Sequence, residues 1–512
     1  MKTLKHKILA TAVMLMAVSA CGKESNGGSV TGPALSASPL ELVFESAASS
    51  QEVNVTAPSK PNFVSSASDW CTVTAGAFAQ KSVIKVNVTE NQSAEERKAS
   101  VSIVCGDERV RLSVTQTGRE VTPEQPEDFL EEIEPGTNSA WTVAKKLGLG
   151  WNLGNQLDAQ NNGVASETAW GNTKATQATF DGLKAKGITA VRIPVTWLGH
   201  IGAAPEYKID DAWMNRVAEV VGYAEKAGLM AIVNIHHDGA DSKYWLSVKR
   251  AASSSAEYQT ITAEFKAVWK QIAEKFADKG DFLIFEPFNE LHDGSWGWGD
   301  NRTDGGAQYR VVNQWAQEFV NVVRATGGNN ASRYLGIPGY CTNPDLTIEN
   351  LVLPQDSAEG KLLVAVHCYD PHDYTLEAKY DEWGHTAVNN PAPSDEKPVV
   401  EVMAKLKAKY IDNGIPVYFG ECGCVNRSTS RQTSFQKYYL EFFFRACRNY
   451  GIAPFLWDNG AMDTGRETSG FINHSTGEYI ANGAQIITAL KNAMFNTEKS
   501  YTLKSVYDNA PR

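Results

Sequence analysis

The chain has 512 residues, 42% of them hydrophobic and 21% charged, an ordinary globular balance with enough apolar material for a large core. Its formal net charge of −11 argues against nucleic acid or an anionic membrane surface as the main partner. At about 100–200 residues per domain, the length predicts two to four domains, or one large barrel with a small module.

The N-terminus reads as a targeting segment. Lys2, Lys5 and Lys7 precede the apolar run ILATAVMLMAV (8–18), which is shorter than the roughly 20 residues that span a bilayer. The run ends at Val18-Ser19-Ala20-Cys21, which resembles a bacterial lipobox. That resemblance implies a lipoprotein signal peptide over residues 1–20 and lipid on Cys21. It also implies a body tethered to the bacterial outer membrane, with the surface-exposed and periplasm-facing leaflets both open. Residues 21–35 are rich in Gly and Ser and read as a flexible tether.

Residues 36–118 change pattern. ELVFE, QEVNVTA, SVIKVNVTE, KASVSIVC and RVRLSVTQ alternate apolar and polar residues and are separated by turn formers, which predicts a small antiparallel β-sandwich. Trp70 is expected in its core. The series SDWCTVTAG, ENQSAEERKASVSI and VTQTG resembles the BACON type of immunoglobulin-like module. The resemblance implies a spacer, or a weak glycan binder. Residues 119–137 follow as a linker: REVTPEQPEDFLEEIEP carries seven acidic groups and three Pro, so like charges extend it and Pro stiffens it.

From 138 to 495 strand-like and helix-like segments alternate. β-branched apolar runs stand at 148–154, 189–195, 229–237, 282–290, 333–339, 362–371, 416–423 and 453–460, with helical periodicity between them. In the segment after the second run, Met214, Val217, Val221 and Ala224 share one face and Gly228 closes the helix. Eight such units predict an α/β fold, a (β/α)8 TIM barrel, with residues 496–512 as a C-terminal tail. No G-x-G-x-x-G follows the first strand, which argues against an open doubly wound sheet.

The active site of such a barrel lies at the C-terminal ends of its strands. Those ends carry Arg192 in the second run, Asn234, His236 and His237 in the third, and Asn289 and Glu290 in the fourth. The sixth carries His367 and Tyr369, the seventh Glu421 and the eighth Trp457. Any one of these has a structural explanation; six strands delivering polar groups to one mouth do not. Glu286 shares parity with Glu290 and sits deeper, so it needs a buried partner, for which Arg192 is the candidate. Two carboxylates facing each other across a mouth suggest glycoside hydrolysis. In the loop HDGSWGWGD, Trp296 and Trp298 alternate with Gly and are candidates for a sugar platform, as is Trp197. Trp213, Trp269 and Trp315 fall in helical segments and read as packing.

R-x-P, N-x-H-H, N-E, H-x-Y, G-E and the late Trp together resemble glycoside hydrolase family 5 over roughly residues 138–495. WNLGNQLDA (151–159) and ETAWGN (167–172) are similar to its bacterial endoglucanase and xyloglucanase subfamily. The resemblance implies a retaining, endo-acting hydrolase of β-1,4-glucan backbones: xyloglucan, mixed-linkage β-glucan or soluble cellulose of plant cell walls. Glu290 matches the acid/base and Glu421 the nucleophile. Arg192, His236, His237, Asn289, His367, Tyr369 and Trp457 match the substrate- and carboxylate-binding positions. Repulsion from ionised Glu421 is expected to raise the pKa of Glu290, and Arg192 and Tyr369 to favour ionised Glu421. A β-mannanase of the same family, and a glycan-binding lipoprotein without catalysis, are the alternatives.

No metal or other cofactor is expected. His236 and His237 are adjacent on a strand, so their side chains should diverge. The eight Cys stand at 21, 71, 105, 341, 368, 422, 424 and 447 without zinc-site spacing, and most read as small buried residues. The chain is expected to act as a monomer.

Overall fold

The structure, a computed structural model, describes residues 33–118, with positions 92 and 94 left out, and residues 128–512. Cys21, the signal segment and residues 119–127 of the acidic linker lie outside the described residues. The chain forms two compact units, divided within the acidic segment between Glu124 and Gln125.

The first unit is a two-sheet sandwich of eight strands: β1 (Ser36–Ser38), β2 (Glu41–Phe44), β3 (Ser49–Thr56), β4 (Asn62–Ser65), β5 (Cys71–Ala75), β6 (Lys81–Val88), β7 (Arg97–Cys105) and β8 (Glu108–Gln116). One sheet has the order β1-β3-β6-β5 and the other β2-β8-β7-β4. Alternate residues such as Val53, Val55, Ile84, Val86, Val101, Ile103, Leu112 and Val114 point between the sheets and form the core. One pairing departs from the antiparallel expectation: β2 runs parallel to β8, because the chain switches sheets within two residues of β1 and returns beside the last strand. Trp70 is only half-buried and carries the Arg97 guanidinium over its ring.

The second unit is the closed barrel. Its strands are β9 (Gly150–Asn152), β12 (Ala190–Ile193), β13 (Met230–Asn234), β14 (Leu283–Glu286), β15 (Leu335–Pro338), β16 (Leu362–Cys368), β17 (Val417–Cys422) and β18 (Ile452–Leu456). The two-residue strands β10 (Gln160–Asn161) and β11 (Val164–Ala165) form a small hairpin in the loop after β9. The barrel strands are parallel and follow one another in chain order around the ring, so all eight sequence runs become strands. The helix Asp211–Ala227 buries Met214, Val217, Val221 and Ala224 and ends at Gly228 in the left-handed conformation at φ 67°.

The barrel interior is layered. Ala190, Ile232, Ile284, Leu363, Ala453 and Phe455 fill its lower part with Val143 and Leu147, which the helix Ser139–Leu147 brings in as a plug. Gly150 has no side chain because a Cβ there would enter the Phe455 ring. With the floor filled by apolar groups, the polar strand ends are left to the opposite mouth.

Two segments outside the predicted barrel pack onto it. Residues Asp128–Leu130 form a turn of 3-10 helix, Leu130 is buried, and Glu132 accepts from Arg445 and from the Leu503 amide. In the tail, Leu503–Asp508 is helical and buries Leu503 and Val506. Apolar residues at 129, 130, 133, 503 and 506 drive this docking, and the acidic, Pro-rich character of the linker hid the first three.

Among the described residues no helix is long and apolar enough to cross a membrane. The seven described Cys are free and buried, as small core residues.

Candidate active site

Arg192 leaves β12 into the barrel with its side chain wholly buried, and it organises the layer above the apolar floor. Its Nη2 donates to Glu286 Oε1 at 2.7 Å and to Asn289 Oδ1 at 2.7 Å. Its Nη1 donates to Glu421 Oε1 at 2.9 Å and to Asn152 Oδ1 at 3.2 Å. Glu286 also accepts from the Tyr418 hydroxyl at 2.6 Å and from Asn234 Nδ2 at 2.9 Å. Burial alone would raise the Glu286 pKa, but the charge and hydrogen bonds of Arg192, with His367 and the Tyr418 hydroxyl, together outweigh it and hold the group low. Glu286 is therefore the structural carboxylate that depth and parity predicted, and Arg192 its partner.

Glu421 lies at the end of β17. Its Oε1 takes the Arg192 bond and its Oε2 accepts from the Tyr369 hydroxyl at 2.9 Å. Register shifts interrupt the ladder between Val366 and His367 and between Phe419 and Cys422. Such bulges re-aim side chains, and here they fall where His367 and Glu421 turn into the mouth. Glu290 stands four residues past the end of β14, and its Oε1 lies 2.7 Å from His367 Nδ1. The closest ligand-type atoms of Glu290, His367 and Glu421 all lie within 4.8 Å of one another. That closeness is in keeping with the carboxyl pair of a retaining enzyme, about 5–5.5 Å apart.

The electrostatics of Glu290 differ from the expectation. Its burial would raise the pKa, yet the His367 hydrogen bond, with the charges of His367, His292 and Arg192, takes it below the ordinary value. Repulsion from Glu421 does not dominate, because His367 stands between the two carboxylates: its Nδ1 is also 3.8 Å from Glu421 Oε2.

His236 and His237 do not diverge. β13 ends at Asn234, so strand alternation no longer applies, and the two rings meet edge to face at 4.4 Å. Asn234 Oδ1 accepts from the Val195 amide, which fixes its Nδ2 as the donor to His236 Nδ1. The His236 proton is thus on Nε2, 3.9 Å from Glu421 Oε1. Burial, then the charges of His237 and Arg192, hold His236 neutral well below its ordinary range. His237 is the opposite case: burial would lower its pKa, but Asp158 beside it and the charges of Glu421 and Glu290 together raise it.

Asp158, His236 and His237 bring ligand-type atoms within 4.8 Å of one another. The donor chemistry does not suit an ion. Binding at His236 Nε2 would move the proton to Nδ1, against the pinned Asn234 amide.

Trp457 stacks parallel to His236 at 6.2 Å and half faces the mouth. Trp296 and Trp298 are exposed, as their loop predicted, whereas Trp197 is fully buried with its Nε1 bonded to Asn234 O, so it offers no face to a ligand. Trp213, Trp269 and Trp315 are buried packing residues. Sequence reasoning missed Asn152, whose Nδ2 donates to Gly420 O and whose Oδ1 takes Arg192. It also missed Asp158 and Trp170, the latter half-exposed and 5.4 Å from the His237 ring. Their signal lay in the stretches WNLGNQLDA and ETAWGN, which carry no chemistry until the first loop folds over the mouth.

Residues 157–463 match the family model described as Cellulase (glycosyl hydrolase family 5), and residues 34–119 match that of the Viral BACON domain. Endoglucanase B of Neocallimastix patriciarum is 36% identical over 71% of this chain and 74% of its own. Among solved structures, a broad-specificity endoglucanase from Bacteroides salanitronis is 56% identical, with TM-score 0.69 over 72% of this chain and 98% of that one. A Bacteroides ovatus xyloglucanase in complex with a XXXG heptasaccharide is 28% identical, with TM-score 0.62 over 90% of this chain and 100% of that one.

Proposed function

The chain belongs to glycosyl hydrolase family 5, and from that premise we propose that it is a retaining endo-β-1,4-glucanase in which Glu421 is the nucleophile and Glu290 the acid/base. One observation carries the assignment. Glu421 is gripped from below by Arg192 and from the side by Tyr369, while Glu290 is free of Arg192 and bonded only to a histidine. A guanidinium and a phenol that each hold one carboxylate oxygen fix its orientation, as attack on an anomeric carbon requires. The other carboxyl can carry a proton to the departing glycosidic oxygen, then take one from water in the second step.

The neighbours have consistent parts. Asn289 spends Oδ1 on Arg192, which turns its Nδ2 outward to donate to the sugar 2-hydroxyl. His236 presents Nε2–H to the same region, His237 offers a donor beside Asp158, and Trp457 provides a face for the pyranose. The relatives named as endoglucanases, broad-specificity endoglucanase and xyloglucanase support plant β-1,4-glucans as substrates. Xyloglucan, mixed-linkage β-glucan and soluble cellulose are the candidates. The N-terminal sandwich is proposed as a spacer, and Cys21 as the lipid site of a monomeric outer-membrane protein. Cys21→Ser should release it from the membrane fraction.

The test is product analysis on xyloglucan, mixed-linkage β-glucan, carboxymethyl-cellulose and glucomannan, with Glu421→Ala and Glu290→Ala alongside. Oligosaccharides from a glucan, abolished to below a few per cent in both variants, are expected. Cleavage of glucomannan alone would move the reading to a mannanase, and no product from any substrate would remove the catalytic reading.

A further inference from the structure

Two residues past Glu290, the imidazole of His292 joins two loops, and it is only 2% exposed. Its Nδ1 accepts from the Gly294 amide at 3.0 Å and from the Trp296 amide at 3.4 Å. A ring nitrogen that accepts carries no proton, so the proton of the neutral ring is on Nε2. That nitrogen faces Asp241 Oδ1 at 3.6 Å, in the turn after β13. The Ser242 hydroxyl donates to the His292 carbonyl at 2.7 Å, a second tie between the same two loops.

The segments it joins are strained. Trp296 stands at φ +50°, Asp241 at +50° and Ser242 at +56°. Such backbone persists only where its surroundings hold it. The Trp296 amide is held by His292 Nδ1, whereas the amides of Ser295 and Asn301 are taken by Asp293. Protonation would reverse the Nδ1 contact. An imidazolium is a donor at both nitrogens, so Nδ1–H would point at two N–H groups. At Nε2 the added charge would only draw Asp241 closer.

We propose that neutral His292 is a positioning residue for the wall of the cleft beside Glu290, and that taking up a proton in acid releases the Gly294–Trp296 turn that it clamps. Its consequence for turnover rests on the proposed role of Glu290; the clamp itself does not. The charges facing the ring are Glu290 and Asp293 on its own loop and Asp241 and Lys243 on the other. Burial, with Lys243, outweighs the three carboxylates and holds the ring below its ordinary range. Tyr340 and Cys341, in the turn after β15, pack behind the loop and are kept neutral by burial. The clamp is therefore closed near neutral pH and opens in the acid range. Trp296 stacks on the ring at 4.3 Å, a contact that an imidazolium also favours, so the amides report the change and the indole does not.

Hydrogen exchange of the full chain, without substrate, reads the clamp at the Gly294 and Trp296 amides. Protection is taken relative to an unstructured peptide at the same pH, which removes the intrinsic pH dependence of exchange. Both amides should be protected at pH 7.5, and protection should fall about tenfold or more at pH 4.5. His292→Asn is the control: Asn Oδ1 takes the place of Nδ1, accepts the amide two residues on as in an Asx turn, and does not titrate. Its protection should hold within about twofold between the two pH values. Flat protection in the native protein would overturn the clamp. An Asn variant that loses protection as the native protein does would overturn it equally, since another group would then be titrating. Turnover tests the positioning role. On mixed-linkage β-glucan, kcat/KM of His292→Asn relative to the native protein should be about threefold higher at pH 4.5 than at pH 7.5. A ratio that does not change with pH would detach the loop from the reaction and overturn that role. Failure to hydrolyse the glucan at all would strike the proposed activity, while exchange still decides the clamp.

Discussion

His367 meets Glu290 through Nδ1 at 2.7 Å, while its other ring nitrogen, Nε2, is buried without a hydrogen-bond partner. A buried N–H with no acceptor costs about 1–3 kcal/mol, so the proton belongs on Nδ1, donated to Glu290. That is why Glu290 sits below its ordinary pKa despite its burial.

A consequence follows for the pH profile. The first displacement needs protonated Glu290, so activity declines as pH rises through its pKa. His367→Ala removes the donor and leaves a carboxyl in a buried site, which raises that pKa. The alkaline limb of kcat/KM should move upward by about one pH unit, even as the maximum falls. A limb that stays in place, or moves to lower pH, would show that His367 does not set the charge of Glu290.

Arg192 ties two carboxylates that differ in purpose, Glu286 below and Glu421 above. Removing one partner of a buried ionic set is strongly destabilising, by about 3–5 kcal/mol, because the remaining charges lose their compensation. Arg192→Met should lower the unfolding midpoint and abolish turnover together. Glu286→Gln keeps the shape and the donors' acceptor oxygen, so it should fold, and its loss should appear in kcat because Arg192 and Asn289 are less firmly held. Denaturant unfolding read beside kcat separates the two. An Arg192→Met protein as stable as the native one would refute the buried network as a structural element.

Much of this was readable in the chain because strand ends are marked by a change from apolar to polar residues. The eight runs, the pairing of Arg192 with Glu286, and the convergence of Glu290, Glu421, His367 and Tyr369 on one mouth all follow from that change. What was not legible depends on where strands stop and bend. Alternation predicted that His236 and His237 would part, but β13 ends two residues earlier and the rings come together. The charge balance of Glu290 was misread because a bulge after Val366 brings His367 between the carboxylates, and no periodicity announces a bulge. Trp197 looked like a platform and is core, since its indole N–H reaches Asn234 O within the fold.

The linker gives a truncation prediction. Leu130 is buried against the catalytic unit, Phe129 meets Tyr507 edge to face, and Glu132 bonds Arg445. A chain starting at residue 125 should melt like the full protein. One starting at 136 should lose stability by roughly the 2–5 kcal/mol of a large-to-small core change, and with it the docking of Leu503–Asp508. Calorimetry of the two chains decides it: equal midpoints would show that residues 128–133 contribute nothing.

Glu264 supplies the last test. It sits on the helix Ser255–Lys275, where burial and the nearby Asp238 charge push its carboxyl up to about 7. Asp238, itself pushed up to about 6 mainly by burial, is held by the Trp197 amide and the Trp245 indole. A carboxyl with a raised folded-state pKa binds more protons in the native than in the unfolded protein between its two pKa values. Stability from Glu264 is therefore fully present below about pH 4.5, the unfolded value, and is lost as pH rises to about 7. Glu264→Gln removes an ionisable group that the fold prefers neutral, so it should raise the melting temperature at pH 7.5 by about 2 °C or more and do nothing at pH 4.5. It should also flatten the decline between those pH values. A variant that melts lower than the native protein at pH 7.5 would mean that Glu264 is ionised and favourably solvated in the fold, and that burial does not govern it.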